Sequence, residues 1–335
     1  MDLGGRFLAH IFMRNHATRW LITVAFILRA VVGQQAHASE DPRPAGHVRT
    51  FQSTDGTGIA YFERGDGPVL VLLAGGYGLS HVYMSSVADG LAASFRCILP
   101  DQRGTGLSKV REYSASTVNL EKLIEDVDAL RKHLRLKKIR LLGHSWGGML
   151  AMSYAAAHPE RVESIVLVDS GGMNMDFQPL YSSGTAARLR AVLSSDEQDR
   201  LRILMSGRAP MTEAAKAEIS HLRMAALLFD RTHAAELERT FDRDPVNEAA
   251  AEAVLTDLKR CKWDVRAELK NLHAPVLIIH GREDPLPLSV AQETQQAIPG
   301  ARLEVISDCG HYPWVDQPAQ FFALVKGFGT TAGSR

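Results

Sequence analysis

The sequence predicts an α/β fold, in which a mostly parallel sheet carries helices on both faces and a helical cap is inserted late in the chain. From Val69 onward, short apolar runs alternate with helical stretches. One of these runs, Val69–Leu73, is apolar throughout, as expected for a strand that is covered on both faces. The alternation stops near Gly172 and resumes at Pro275, which indicates an insertion.

Composition limits the possible classes of protein. The 335 residues are 45% hydrophobic and 23% charged, so a large core can form without disulfides or structural metals. Lys+Arg and Asp+Glu both total 38, and neither sign forms a long block, which argues against a nucleic-acid-binding surface. We therefore expect the partner to be a small-molecule or short peptide substrate. The oligomeric state is not predicted.

The first 38 residues have the pattern of a secretory signal peptide. Arg14 and Arg19 precede the apolar run Trp20–Leu28, and Ala36-His37-Ala38 has the small-x-small form that signal peptidase accepts. We expect cleavage after Ala38, a periplasmic or secreted protein, and no stable membrane insertion after cleavage. The alternative is a membrane anchor, but the run is shorter than the roughly 20 apolar residues that a spanning helix needs.

The remaining elements follow in order along the chain. A β-hairpin is predicted from Arg49–Ser53 and Gly58–Phe62, which flank a Thr-Asp-Gly turn. The predicted strands of the main sheet are Val69–Leu73, Cys97–Leu99, Ile139–Leu142, Ser164–Val168, Pro275–Ile279 and Arg302–Ile306. The predicted helices packed on it are Asn119–Leu134, Met149–His158, Ser289–Ala297 and Gln317–Phe328.

The insertion reads as helical throughout. Ala186–Leu204, Thr212–Phe229 and His233–Leu258 are rich in Ala, Leu, Glu and Arg, which favour helices. The predicted organisation is therefore a catalytic domain formed by residues 39–172 and 266–335, with a cap (lid) domain formed by residues 173–265.

A nucleophile motif lies where the third parallel strand should end. Gly143-His144-Ser145-Trp146-Gly147 has the form G-x-S-x-G and stands between a predicted strand and a predicted helix, the context of a nucleophile elbow. The two glycines of the motif suit a turn too tight for side chains. This context predicts the α/β-hydrolase fold with Ser145 as the nucleophile.

A serine hydroxyl needs a base that a carboxylate orients. In this fold the order along the chain is Ser, Asp, His. Asp284 and His311 each follow a predicted strand, so both should lie at the carboxyl edge of the sheet. Glu283 is the alternative acid, and His144 and His280 are interpreted as packing residues beside the site.

A tetrahedral intermediate needs two backbone N–H donors. We expect Trp146, which follows the nucleophile, and Gly76, in the glycine-rich loop after the first parallel strand, to form the oxyanion hole. No cofactor or metal is expected. Cys97, Cys261 and Cys309 have no metal-ligand spacing, and Cys97 is interpreted as a buried apolar residue.

Several strings together resemble the prolyl aminopeptidase (proline iminopeptidase) branch of the α/β-hydrolases. They are Asp101-Gln102-Arg103-Gly104-Thr105-Gly106-Leu107-Ser108, Gly143-His144-Ser145-Trp146-Gly147-Gly148, Gly281-Arg282-Glu283-Asp284 and Gly310-His311. The resemblance implies the triad Ser145, Asp284 and His311 and the oxyanion pair Gly76 and Trp146.

The chain departs from that branch in two places. The branch has HGGPG at its oxyanion loop, whereas this chain has Ala74 and Tyr77 at the His and Pro positions. The Trp-x-x-Trp-Glu string with which the branch's cap helps to hold the substrate's amine is missing. The resemblance therefore supports a hydrolase more firmly than an aminopeptidase.

Substrate-binding residues are sought in the cap and in the oxyanion loop. Tyr77 is one candidate. If the substrate carries a free amine, a cap carboxylate must meet it, because a buried ammonium without a partner is costly. Asp230 is expected to be partly buried because it follows the apolar stretch Met224–Phe229. The cap candidates are Glu213, Glu218, Asp230, Glu236 and Glu238.

These observations predict a serine hydrolase that cleaves an amide or ester bond through an acyl-enzyme, with an exported peptidase similar to prolyl aminopeptidase as the first hypothesis. The alternative is a carboxylesterase acting on small acyl esters, for which the same triad would serve. A catalytically inactive binding module is a third hypothesis, which the complete set of Ser145, Asp284 and His311 argues against.

Overall fold

A computed structural model describes residues 48–207 and 210–332. The predicted signal peptide, residues 1–38, lies outside these ranges. Within them, no helix combines the length and the apolar composition needed to cross a membrane.

The sheet has eight strands in the order β1-β2-β4-β3-β5-β6-β7-β8. The hairpin strands pair antiparallel with each other, β2 also pairs antiparallel with β4, and all other neighbours are parallel. The predicted fold class is confirmed. The strands are β1 (Arg49–Gln52), β2 (Gly58–Arg64), β3 (Val69–Leu73), β4 (Arg96–Pro100), β5 (Ile139–His144), β6 (Val162–Val168), β7 (Val276–Gly281) and β8 (Arg302–Ile306).

Helices cover both faces of this sheet and fill the segment between β6 and β7. They are α1 (Ser85–Leu91), α2 (Leu120–His133), α3 (Trp146–Ala157), α4 (Phe177–Val192), α5 (Ser195–Met205), α6 (Glu213–Met224), α7 (Ala234–Arg243), α8 (Glu248–Arg260), α9 (Arg266–Leu269), α10 (Leu288–Ala297), α11 (Pro313–Asp316) and α12 (Pro318–Ala332). Sequence analysis did not predict α1.

The central strands are apolar throughout because each lies between two cores. In β3, Val71 and Leu73 belong to the core on one face, whereas Leu70 and Leu72 belong to the core on the other. Successive side chains of a strand point to opposite faces, so a strand buried on both sides needs apolar residues at every position. This packing fixes the strand ends from which the loops of the site depart.

Local capping explains where several helices begin. The side chain of Asn119 caps α2 by accepting a hydrogen bond from the Lys122 N–H. The helix-favouring stretch Ala186–Leu204 spans two helices, because Ser194 and Glu197 form a reciprocal capping box that starts α5 after α4 has ended. That signal was present in the sequence as Ser-x-x-Glu.

The last helix of the insertion packs with the body of the protein. Ala250, Val254 and Leu258 of α8 belong to the same core as the α2 side chains. Asn247, which caps α8, donates its backbone N–H to the Gly78 carbonyl at 2.9 Å and its amide to the Gly104 carbonyl at 2.9 Å. The insertion is thereby joined to the loop after β3.

The close approach of α3 to β3 gives a test of the packing. A Cβ on Gly147 would overlap the Leu73 carbonyl, whereas a Cβ on Gly327, on α12, would meet no atom within 4 Å in the described chain. We expect Gly147→Ala to lower the free energy of unfolding by about 1–3 kcal/mol or more through overpacking. Gly327→Ala should raise it by about 0.5–1 kcal/mol, because alanine loses less backbone entropy in a helix. Urea unfolding measures both, and equal effects would contradict this account.

Candidate active site

Ser145 occupies a strained turn between β5 and α3. Its backbone is at φ 53° and ψ −116°, a region that non-glycine residues rarely adopt, and its N–H donates to the Val168 carbonyl at 2.9 Å. The turn can close because residues 143 and 147 are glycines: a Cβ on Gly143 would overlap the Gly147 carbonyl. Surrounding packing therefore holds Ser145 at the carboxyl end of β5, where it lines a cavity.

Asp284 and His311 lie on the loops after β7 and β8. The His311 Nδ1 is 2.8 Å from the Asp284 Oδ2, and the Leu286 N–H donates to the other carboxylate oxygen at 2.8 Å. The backbone N–H of His311 donates to the Leu227 carbonyl of the insertion at 2.7 Å. Glu283, the alternative acid, instead accepts from the Cys309 N–H at 2.9 Å.

The protonation states of this pair follow from its surroundings. Burial acts to raise the pKa of Asp284, but the imidazole of His311 and the hydrogen bond from it outweigh burial and hold that pKa below its ordinary value. Because the ionised carboxylate only accepts hydrogen bonds, Nδ1 of His311 carries the proton. The Nε2 of His311 is then unprotonated and can accept a proton.

A chain of hydrogen bonds joins the loop after β3 to His311. The Gly75 N–H donates to the Tyr83 hydroxyl, which lies 2.9 Å from the His144 Nδ1. The His144 Nε2 is 2.8 Å from the His311 carbonyl, which can only accept, so Nε2 donates and Nδ1 accepts from Tyr83. Burial and the nearby His311 place the pKa of His144 well below its ordinary value, which keeps the ring neutral. His144 therefore links two parts of the site.

The residues expected to form the oxyanion hole lie on the same cavity as Ser145. Gly76 and Trp146 both line the cavity with Ser145. Trp146 begins α3, whose first N–H groups are not used within the helix. The Gly75 N–H is already given to Tyr83, which leaves Gly76 as the better placed donor of that loop.

The Asp-Gln-Arg-Gly string braces this arrangement. Gln102 donates its side-chain N–H to the Ala74 carbonyl at 2.6 Å and accepts from the Trp146 indole at 2.8 Å. Arg103 forms a buried ion pair with Asp126 at 2.7 Å, and Asp101 accepts from the Leu107 N–H. Gln102 therefore holds both expected oxyanion segments at a fixed separation.

A cavity of about 110 Å³ opens above Ser145. Its walls are mainly apolar, and Tyr77 lies on it with its ring 4.7 Å from that of Trp146. Arg223, on the buried face of α6, also lines it, and burial lowers the pKa of its guanidinium. Among the described residues that line this cavity, none is Asp or Glu.

Three of the predicted cap acids, Glu213, Glu218 and Asp230, lie elsewhere. Glu213 is exposed and pairs with Lys216, and Glu218 pairs with Arg200 on the surface of the cap. The expected partial burial of Asp230 is wrong: it is exposed, and its side chain caps a short 3-10 turn by accepting from the Thr232 N–H. These carboxylates have surface partners, so the structure does not bring them to Ser145.

Three residues of the site region were not identified from the sequence. Arg223 follows Ile219 by four positions, which puts both on one helix face, but the apolar pattern alone does not show where that face points. Tyr83 gave no local signal. Asp169 directly follows the apolar run of β6, a position that could have marked it as a second acid at the sheet edge.

One group in the described chain brings together three residues of types that can bind a metal. Asp169, His280 and Asp284 are buried, and their ligand atoms lie within 4.8 Å of one another. Both oxygens of Asp284 already accept N–H groups, from His311 and Leu286.

Cys97 is buried, as predicted, and all three cysteines are free thiols.

Comparison with known proteins identifies the family. The family model for the α/β hydrolase fold matches residues 68–318. The chain belongs to the α/β hydrolase fold family. It is 30% identical over 276 residues to a proline iminopeptidase of Lactobacillus helveticus, a match that covers 79% of this chain and 90% of the relative.

Solved structures support the same fold. The esterase RhEst1 from Rhodococcus sp. ECU1013 is 25% identical, with a TM-score of 0.60 over 86% of this chain and 98% of that one. VinJ is 22% identical, with a TM-score of 0.67 over 86% and 100%, which shows the fold alone. These comparisons confirm the predicted resemblance and the predicted class, an α/β hydrolase acting on amide or ester bonds.

The Tyr83 hydroxyl serves two buried partners, and its removal can be tested. We expect Tyr83→Phe to lower the free energy of unfolding by about 1–3 kcal/mol, because the Gly75 N–H and the His144 Nδ1 lose their partner. Turnover should also fall, because the loop and His311 lose their common brace. The control is Tyr154→Phe, which removes a buried hydroxyl 3.1 Å from Asp128 and should lower stability without lowering turnover. Equal turnover in the two variants would contradict the bracing role.

Proposed function

We propose that the protein is a serine hydrolase in which Ser145, His311 and Asp284 act as a catalytic triad. The supporting observation is the 2.8 Å contact between Asp284 and the His311 Nδ1, with Ser145 on the strained turn of the same cavity. His144, the other imidazole among the described lining residues, uses both ring nitrogens in hydrogen bonds, with the Tyr83 hydroxyl and the His311 carbonyl.

The chemistry follows from the protonation states. The Ser145 Oγ attacks the substrate carbonyl carbon while its proton moves to the His311 Nε2, and Asp284 stabilises the imidazolium that forms. The N–H groups of Gly76 and Trp146 would stabilise the oxyanion. His311 then gives the proton to the leaving group, which departs and leaves an acyl-enzyme. Water, activated by the same imidazole, releases the acid and restores Ser145.

The cavity favours the carboxylesterase alternative over a free-amine peptidase. A substrate ammonium bound above Ser145 would need a nearby carboxylate, and the described lining has none. Arg223 would instead repel a cation and tolerate a neutral or anionic acyl group. The peptidase hypothesis is supported by the similarity to the Lactobacillus helveticus enzyme, so the two candidates differ in the charge that they require of the substrate.

The triad is tested by substitution and labelling. We expect Ser145→Ala, His311→Ala and Asp284→Asn each to lower kcat by orders of magnitude, and a double variant to be little worse than either single one, because the groups act as a unit. A fluorophosphonate probe should label the wild type and not Ser145→Ala. Activity should fall at acidic pH, where an imidazolium cannot accept the proton. Wild-type turnover by Ser145→Ala would exclude the proposal.

The charge preference is tested with three matched aryl esters, whose acyl groups are neutral, carry an amine, or carry a carboxylate. We expect the amine-bearing ester to have the lowest kcat/KM. Arg223→Met should change the ratio of amine-bearing to carboxylate-bearing substrates about tenfold in favour of the amine, which corresponds to about 1.4 kcal/mol.

The control for this substitution is Arg188→Met, because Arg188 contacts the Leu228 carbonyl but is not among the described lining residues. It should leave the ratio unchanged. If the wild type cleaves free-amine aminoacyl arylamides faster than their N-acylated forms, the aminopeptidase hypothesis takes the place of the esterase.

A further inference from the structure

A second buried carboxyl group, Asp169, lies behind the Asp284 carboxylate. It follows β6 directly, its side chain is 0% exposed, and its backbone is at φ 42°. Its backbone N–H donates to the Ile279 carbonyl at 2.9 Å, and its Oδ1 accepts from the Gly281 N–H at 2.8 Å. The strained backbone and two hydrogen bonds to β7 hold this side chain against Asp284.

The hydrogen bonds around Asp169 do not balance if it is ionised. Both Asp284 oxygens accept N–H groups, so that carboxylate is satisfied as an anion. The Asp169 Oδ2 is buried and accepts from no group in the described chain. The His280 Nε2 donates to the Leu286 carbonyl, which leaves its Nδ1 as an acceptor, 3.4 Å from the Asp169 Oδ1 and likewise buried without a donor. This cluster has acceptors and lacks a donor.

Electrostatics also argues against an ionised Asp169. Two buried carboxyl groups whose oxygens lie within 4.8 Å of each other cannot both be ionised without a large cost. Burial and the Asp284 charge raise the pKa of Asp169 well above its ordinary value. Burial also lowers the pKa of His280, so no imidazolium compensates there. The titratable groups that face Asp169 are Asp284, His280, Cys309 and Asp316, and His311 contacts Asp284.

We propose that Asp169 is protonated at neutral pH and is a positioning residue, which donates a hydrogen bond to the Asp284 carboxylate. Protonation turns the Asp169 Oδ2 from an acceptor without a donor into a donor. It also leaves one negative charge, on Asp284, behind His311. The donated bond makes Asp284 less basic, so that the His311 Nδ1 keeps its proton. The protonation does not depend on the proposed function, whereas the effect on turnover rests on it.

Unfolding across a pH series tests the protonation. In the unfolded chain an aspartate has a pKa of about 3.9 and is ionised at neutral pH. If Asp169 keeps its proton in the folded state, folding takes up one proton above about pH 4, and stability falls as pH rises. The folding constant of the wild type should therefore fall, relative to that of Asp169→Asn, by about tenfold per pH unit between pH 5 and the pH at which folded Asp169 ionises. The asparagine keeps the size of the side chain and an N–H donor.

Asp128→Asn is the matched control. Asp128 is also buried, but hydrogen bonds from Arg131 and Lys132 outweigh burial and hold its pKa below the ordinary value. It is ionised in both states above pH 5, so the ratio of wild-type to Asp128→Asn folding constants should not change with pH there. A pH-independent ratio for Asp169→Asn as well would overturn the proposal.

Infrared spectroscopy gives a second readout that does not depend on activity. The wild type at pH 7 should show the carbonyl stretch of a protonated carboxylic acid, and Asp169→Asn should lack it. A bound divalent metal in the purified wild type that is lost in Asp169→Asn would instead assign the cluster to a metal and overturn the proposal.

The kinetic test separates positioning from charge. Asp169→Asn should keep kcat within about threefold and leave the acid limb of the pH profile in place, whereas Asp169→Ala should lower kcat further because the donor is lost. If Asp169 were ionised, Asp169→Asn would remove a negative charge beside His311 and shift the acid limb to lower pH, which overturns the proposal. If Ser145 proves not to be the nucleophile, the unfolding and infrared results still decide the protonation of Asp169.

Discussion

The strained backbone of Ser145 is the constraint on which the rest of the site depends. A residue at φ 53° between a strand and a helix is kept there only if its surroundings leave no alternative. Gly143 and Gly147 provide this by letting α3 approach the sheet so closely that any Cβ would overlap a neighbouring carbonyl. The elbow then places the Ser145 side chain and the first N–H groups of α3 at one point. Every other part of the site is arranged around that point.

Hydrogen bonds between loops keep the remaining groups in register with the elbow. Gln102 joins the Ala74 carbonyl to the Trp146 ring, and Tyr83 and His144 join the Gly75 N–H to the His311 carbonyl. These contacts are buried, so removing one partner would leave the other polar group with neither a protein partner nor water to hydrogen-bond. Rigid positioning of this kind suits the proposed oxyanion donors, because such donors must be in place before the charge develops.

The sequence was sufficient for those features that depend on local pattern. The bounds of β3 and β8 were predicted correctly, because both strands are short runs between clear turn signals. Asn119 marked the start of α2, but the capping box at Ser194 was overlooked, so the break between α4 and α5 was not predicted. The positions of Arg223 and Asp169 depend on which helix face meets the cavity and which strand end meets Asp284, and that is set by contacts between distant segments. Asp230 shows that a local pattern can also mislead, since it follows an apolar stretch and is nevertheless exposed.

The insertion and the proposed catalytic groups are connected, which limits how the proposed substrate pocket can change. The Leu227 carbonyl, which follows α6, accepts the His311 N–H, and Gly310 needs to lack a Cβ because that same carbonyl lies against it. A shift of α6 as a whole would therefore move His311 as well as the cavity wall. Exchange of a single side chain on its inner face, such as Arg223, alters the charge of the wall and leaves the Leu227 carbonyl in place. For the proposed hydrolase, substrate range can thus change through individual side chains of the insertion while the backbone that supports His311 is kept.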